Sequence, residues 1–139
     1  MDVSNNKELN LLELLLDKNL AKFGDSIVNL IYNAAMFEAT KQLKGVKVWD
    51  KCLAEACRAS PLRNLVGSKK SAGELGDVVE AFIGFLYMKK NKQILGHMIE
   101  ILKRFIIQNW NKQETNEQQL CRDAFSHLLK TLCKEMGIE

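Results

Sequence analysis

The stretch GDVVEAFIGFLY at residues 76–87 constrains this chain most, because it sets two carboxylates inside a strongly apolar run. Asp77 and Glu80 are three residues apart, so a helix places them on one face. An ionised carboxylate that leaves water costs several kcal/mol unless it is paired, hydrogen-bonded or bound to a cation. No Lys or Arg lies between Lys70 and Lys89 to pair with them locally. The stretch therefore predicts a buried helix whose carboxylates bind a cation.

The limits of this helix are well marked. Ser71 and Glu74 have the spacing of a capping box, and Lys89 and Lys90 lie where the negative end of the helix dipole is expected. The pattern predicts a helix over residues 72–90. Its apolar side chains cover most of the circumference, which indicates a position in the middle of a helical bundle.

A second Gly-Asp pair occurs upstream, in LAKFGDSIVNL at residues 20–30. Glycine inside a helix costs about 1 kcal/mol relative to alanine, so Gly24 and Gly76, each directly before an Asp, require an explanation. A close backbone approach between the two helices supplies one.

The upstream helix also carries a stripe of small and polar residues. Ala21, Asp25 and Asn29 follow one another at four-residue spacing. If this stripe faces Asp77 and Glu80, three carboxylates converge on one point.

The whole chain has the pattern of a single all-α domain over residues 1–139, with no convincing period-two strand. No apolar run is long enough for a membrane span, and the N-terminal residues lack the features of a signal peptide, so we expect a cytoplasmic location. The cysteines show no zinc-site spacing and are expected to be buried free thiols. Helices are predicted over residues 6–17, 18–42, 48–59, 61–66, 72–90, 92–110 and 115–136, and Thr115 and Gln118 are predicted to cap the last of them.

Charge is unevenly distributed along the chain. Residues 41–70 contain eight Lys and Arg but only two acidic residues. A basic segment that leads into a carboxylate-bearing helix suits a polyanion held beside a metal ion. A solvated lysine face explains the charge equally well.

Two segments together carry a resemblance to a known family. LAKFGDS at residues 20–26 and GDVVEAFIG at residues 76–84 resemble the two signature segments of the ribonuclease III endonuclease domain, in the same order and with a similar separation. The resemblance covers roughly residues 8–110. It is strongest with the short archaeal branch of the family and with the Mini-ribonuclease III group.

The resemblance implies a helical bundle, here with an extra C-terminal helix at about 115–136, and a magnesium-dependent endonuclease for double-stranded RNA that acts as a homodimer. Asp25, Asp77 and Glu80 match the acidic positions of the family, which hold Mg²⁺, with Mn²⁺ as a substitute. The resemblance gives Asp25 and Glu80 the catalytic role.

The chain departs from the family pattern in two places. Ala21 stands where bacterial members have a Glu, which bears on the number of metal ions. The double-stranded-RNA-binding domain that usually follows is not expected here, because the residues after Asn109 have the pattern of one helix. We therefore expect the catalytic dimer itself, or a partner, to grip the substrate. The candidates for phosphate contacts are Lys44, Lys47, Lys69 and Lys70.

Two other functions are compatible with the residues. One is a catalytically inactive ribonuclease III-like module that binds RNA or a ribonucleoprotein, although such relatives generally lose the acids. The other is an all-α nucleotide pyrophosphohydrolase, a class that needs two Glu-rich pairs on separate helices, whereas the signature segment of the upstream helix offers only Asp25.

Overall fold

The chain folds as helices connected by short loops. A computed structural model describes residues 11–67, 70–111 and 114–139, and no strand occurs within these ranges. The predicted all-α class is confirmed. The helices are α1, described over 11–15, α2 Lys18–Thr40, α3 Asp50–Arg58, α4 Leu62–Val66, α5 Ala72–Lys90, α6 Lys92–Asn109 and α7 Glu117–Glu135. The predicted start of α1 near Asn6 lies outside the described residues.

Helix α5 lies at the centre of the bundle and contacts α2, α3 and α6. Its capping box is formed as predicted: the Ser71 hydroxyl accepts from the Glu74 amide at 3.2 Å, and the Glu74 carboxylate accepts from the Ser71 amide at 3.1 Å. Most of its residues are buried, including Val79, Phe82 and Ile83. Local signals therefore define both the limits and the central position of this helix.

The close approach of α2 and α5 occurs at Gly24 and Gly84. A Cβ atom added at Gly24 falls 1.7 Å from the Glu80 carbonyl oxygen, and one added at Gly84 falls 3.1 Å from the Leu20 carbonyl oxygen. The expectation that Gly76 makes this approach is wrong, because Gly76 faces α3, where an added Cβ lies 3.6 Å from the Asp50 carbonyl oxygen. Only one of the two Gly-Asp glycines thus brings the helices together.

Helix α7 completes the core against α3 and α6. Phe125, Leu128 and Leu129 are fully buried, and all four cysteines are buried free thiols, as expected. The predicted cap at Thr115 is replaced by Asn116, whose side chain accepts from the Gln119 amide. Thr115 instead accepts a hydrogen bond from the Asn111 amide, which leaves the next residue to start the helix.

Helices α3 and α7 run in the same direction. The Cys52 thiol donates to the Gln118 carbonyl at 3.2 Å, and one turn further along both helices Arg122 pairs with Glu55 at 3.2 Å. This parallel arrangement brings the C-terminal half of α7 beside the turn between α3 and α4.

Within the described part of the chain, every helix is too short or too polar to cross a lipid bilayer.

Candidate active site

Two of the predicted site carboxylates meet where α2 and α5 touch. Glu80 is only 7% exposed and lies within hydrogen-bonding reach of Asp25, which is half-buried. Burial, which is the largest cause, raises the pKa of Glu80 to about 8 together with the hydrogen bond to Asp25 and the negative charges of Asp25, Asp77 and Asp50. Without a cation, Glu80 therefore holds a proton at neutral pH.

Asp77 is one turn before Glu80 on α5 but is engaged differently. The Lys18 ammonium group donates to its Oδ2 atom at 2.9 Å. The hydrogen bond and charge of Asp77 raise the pKa of Lys18. Both side chains are well exposed, at 70% for Lys18 and 41% for Asp77, so solvent screens this pair.

The three carboxylates do not converge on one point as expected. Across residues 11–67, 70–111 and 114–139, no three His, Cys, Asp or Glu side chains are arranged to hold a metal ion as they stand. The donor chemistry nevertheless fits Mg²⁺, which prefers carboxylate oxygens. Glu80 is a buried carboxyl group beside a second carboxylate, and a cation removes the repulsion between them.

Two asparagines of α2 position the carboxylate of Asp25 and the loop before α3. This positioning role was not predicted from the sequence. Asn29 donates to Asp25 at 3.2 Å and accepts from the Val48 amide at 2.7 Å. Asn33 donates to the Val46 carbonyl and accepts from the Val46 amide. These amides fix the loop before α3 along α2. The signal in the sequence that could have indicated this role is the place of Asn29 on the same helical stripe as Asp25.

The same loop brings a further carboxylate to the site. Asp50 begins α3 directly after the anchored residues and acts on the pKa of Glu80 through its charge. Sequence reasoning missed Asp50, because nothing local connects it with residues some thirty positions away.

Comparison with known proteins identifies the family. The family model described as Ribonuclease III matches residues 18–138, which is most of the chain. This chain belongs to the ribonuclease III family. The match extends through α7, beyond the region that carries the signature segments. No curated protein matches the chain. Membership supports a nuclease that acts on RNA.

The four lysines predicted to contact RNA in this ribonuclease III family member differ in their surroundings. Lys44 pairs with Glu117, and Lys70 lies 3.7 Å from Glu74. Lys47 is exposed, and no ion pair joins it to a carboxylate in the described ranges. Lys69 lies outside the described residues. The charge of Lys44 and Lys70 is thus partly neutralised within the chain, and the contacts with RNA stay a prediction.

One face of α2 exposes large apolar side chains at seven-residue spacing. Phe23, Leu30 and Phe37 are 41–52% exposed, and Leu16 continues the spacing before the helix. Seven residues are close to two helical turns, so these side chains form one stripe. We call Leu16, Phe23, Leu30 and Phe37 the apolar stripe. A contiguous exposed apolar surface of this kind is typical of an interface.

Proposed function

We propose that this ribonuclease III family member is a magnesium-dependent endoribonuclease that cleaves double-stranded RNA as a homodimer. One observation carries the proposal: buried Glu80 faces Asp25 across the contact of α2 and α5, with Asp77 and Asp50 contributing further negative charge. A buried carboxyl group with other carboxylates around it is costly in the absence of a cation. It is typical of a functional site.

The roles of the side chains follow from their positions. Asp25 and Glu80 bind the metal ion, and Asn29 orients Asp25 by donating to its carboxylate. Asp77 lies on the same face of α5 as Glu80 and, once released from its ion pair with Lys18, would be a further ligand. When bound, Mg²⁺ supplies an activated water and neutralises charge on the phosphoryl group. The carboxylates must be ionised to do this, so metal binding releases the proton that Glu80 holds.

The apolar stripe supports the homodimer. Leu30 in this stripe is a large aliphatic side chain that is 52% exposed, although the opposite face of α2 is buried in the core. A two-fold axis beside α2 covers the same patch on both subunits. It also places one carboxylate site on each side of the interface, which suits a substrate with two strands.

The structure favours the nuclease over the two alternative functions, an inactive RNA-binding module and a nucleotide pyrophosphohydrolase. An inactive RNA-binding module has no use for a buried carboxyl group beside a second carboxylate, whereas Glu80 is 7% exposed and lies beside Asp25. A nucleotide pyrophosphohydrolase needs a second acidic pair on the facing helix. The other acid on α2, Glu38, lies near Lys103 of α6 instead.

The substrate class is tested by offering four labelled substrates with Mg²⁺ and with EDTA: an RNA duplex, single-stranded RNA, a DNA duplex and a nucleoside triphosphate. We expect cleavage of the RNA duplex with Mg²⁺ alone. Hydrolysis of the triphosphate supports the pyrophosphohydrolase, and duplex binding without cleavage supports the inactive module. Either result contradicts the proposal.

A further inference from the structure

A basic hollow lies on the surface away from the carboxylates. It has a volume of about 540 Å³ and is formed by the turn between α3 and α4 together with the C-terminal half of α7. Three cationic side chains line it: Arg58, Arg63 and Lys130. None of its lining residues in the described ranges is acidic, and no ion pair joins these three cations to a carboxylate there. Their charge is therefore available to an anion from outside.

The turn that builds this basic hollow is well fixed. The Ser60 hydroxyl donates to the Cys57 carbonyl at 2.9 Å and accepts from the Leu62 amide at 3.3 Å. Leu62 is fully buried and anchors the short helix α4 in the core. Arg58 at the end of α3 and Arg63 in α4 consequently lie on one rim. Both act through their charge on the same buried thiol, Cys57, opposing the rise in its pKa that burial causes.

The basic hollow is separate from the candidate active site. Asp50, whose charge reaches Glu80, begins α3, and Arg58 ends it. Eight residues of helix separate the two ends by about 12 Å. The hollow and the carboxylates are therefore too far apart to bind the same phosphate group.

We propose that the basic hollow binds a backbone phosphate of duplex RNA, as a contact outside the cleavage site. This inference rests on the proposed function. Arg58 and Arg63 are guanidinium groups, which bind phosphate in a bidentate manner that lysine cannot reproduce. By contrast, Lys44 and Lys70 of the originally predicted contact set are already joined to Glu117 and Glu74.

Duplex binding in EDTA, where a metal-dependent enzyme does not cut, tests this inference. The probe is a labelled RNA duplex, and binding is measured over a range of salt concentrations. The slope of log K against log salt is negative, and losing one phosphate contact makes it shallower by about 1. Because both arginines hold the same phosphate, we expect the double variant Arg58→Gln/Arg63→Gln to make this slope shallower by about 1 and to weaken binding about tenfold or more.

The matched control is Lys90→Gln/Lys92→Gln. It removes the same charge from exposed residues at the turn between α5 and α6, which line a different hollow. We expect it to change duplex affinity by no more than about twofold, as for screened long-range charge. A second variant, Arg58→Lys/Arg63→Lys, keeps the charge and is expected to restore most of the salt slope but not the full affinity.

Three results overturn the inference: unchanged binding in the Arg58→Gln/Arg63→Gln variant, equal losses in that variant and its control, or no duplex binding by the unsubstituted chain. The first two leave the proposed function intact if the unsubstituted chain still cuts the duplex with Mg²⁺. A different result separates the two proposals: the unsubstituted chain binds the duplex but never cuts it, and the Arg58→Gln/Arg63→Gln variant loses binding. This result supports RNA binding at the basic hollow and contradicts the proposed nuclease activity.

Discussion

Gly24 contacts the backbone of Glu80 so closely that a methyl group on its Cα atom would fall 1.7 Å from the Glu80 carbonyl oxygen. No side chain fits at this distance. The absence of a side chain at residue 24 therefore sets the separation of α2 and α5. That separation in turn brings Asp25 within hydrogen-bonding reach of Glu80.

The substitution Gly24→Ala is expected to force the two helices apart, because the obstructing atoms are backbone atoms that cannot rotate away. We expect a loss of about 2 kcal/mol or more in the free energy of unfolding, together with loss of RNA cleavage. Denaturant unfolding measures the first and the duplex assay the second.

Gly96→Ala is the control for this change. An added Cβ at Gly96 in α6 meets nothing within 4 Å, so the better helix propensity of alanine should raise stability by up to about 1 kcal/mol. If the Gly24→Ala protein is as stable as the Gly96→Ala protein, the close approach described here is wrong.

The pKa of Glu80 makes stability depend on pH in the metal-free chain. Its pKa is about 8 in the folded chain against 4.5 for an unperturbed Glu, so between these values the folded state holds a proton that the unfolded state has lost. The contribution is fully present below pH 4.5 and is lost as pH rises towards 8. At about 1.4 kcal/mol per pKa unit, it amounts to a few kcal/mol.

Glu80→Gln should remove this pH dependence, because glutamine stays neutral at every pH. Unfolding in EDTA is measured between pH 5 and pH 8 (roughly the interval over which the proton is lost). The control Glu13→Gln changes an exposed residue and should keep the slope of the unsubstituted chain. An identical slope in the Glu80→Gln protein rules out the assigned shift.

If Asp77 holds a metal ion as proposed, Lys18 competes with that ion for the Asp77 carboxylate. We expect Lys18→Gln to lower the Mg²⁺ concentration at half-saturation by a few-fold, since the carboxylate is then free; the effect stays small because the pair is exposed. Calorimetric titration with Mg²⁺ gives the midpoint. The control is Lys22→Gln, which removes the same charge from an exposed lysine on the same helix. An equal change in the Mg²⁺ midpoint in both variants would mean that only net charge matters and would contradict direct competition at Asp77.

The apolar stripe is tested by placing a charge at its centre. Leu30→Glu should convert the dimer to a monomer, because a carboxylate in an apolar two-fold interface meets its own copy. Leu43→Glu is the matched control, since Leu43 is 86% exposed and lies beyond the end of α2. Sedimentation equilibrium reports the mass. A Leu30→Glu protein with the same mass as the Leu43→Glu protein contradicts the interface.

The fold could be predicted in large part because its signals are local. Helix α5 was expected over 72–90 and is found at Ala72–Lys90, with the capping box of Ser71 and Glu74 at its start. Where two neighbouring residues offer a cap, as Thr115 and Asn116 do, the choice depends on a contact with the preceding loop, and the prediction was one residue out.

Of the candidate site, only the contact between the helices that carry Asp25 and Glu80 could be predicted from the sequence. The glycines indicated that the helices carrying Asp25 and Glu80 touch, but the facing residue is Gly84, which shares no Gly-Asp pattern with Gly24. Asn29 joins the site through a side-chain hydrogen bond to the distant loop before α3, and Asp50, which follows this loop, acts on Glu80 only through its charge. Such long-range hydrogen bonds leave no periodic trace in the sequence.

Cleavage of a labelled RNA duplex by the unsubstituted chain and by Glu80→Gln, with and without Mg²⁺, tests the central claim most directly. The account predicts cutting by the unsubstituted chain only with Mg²⁺, and a rate lower by about a hundredfold or more in Glu80→Gln, with dimer mass and duplex affinity retained. An unchanged cleavage rate in Glu80→Gln would contradict it.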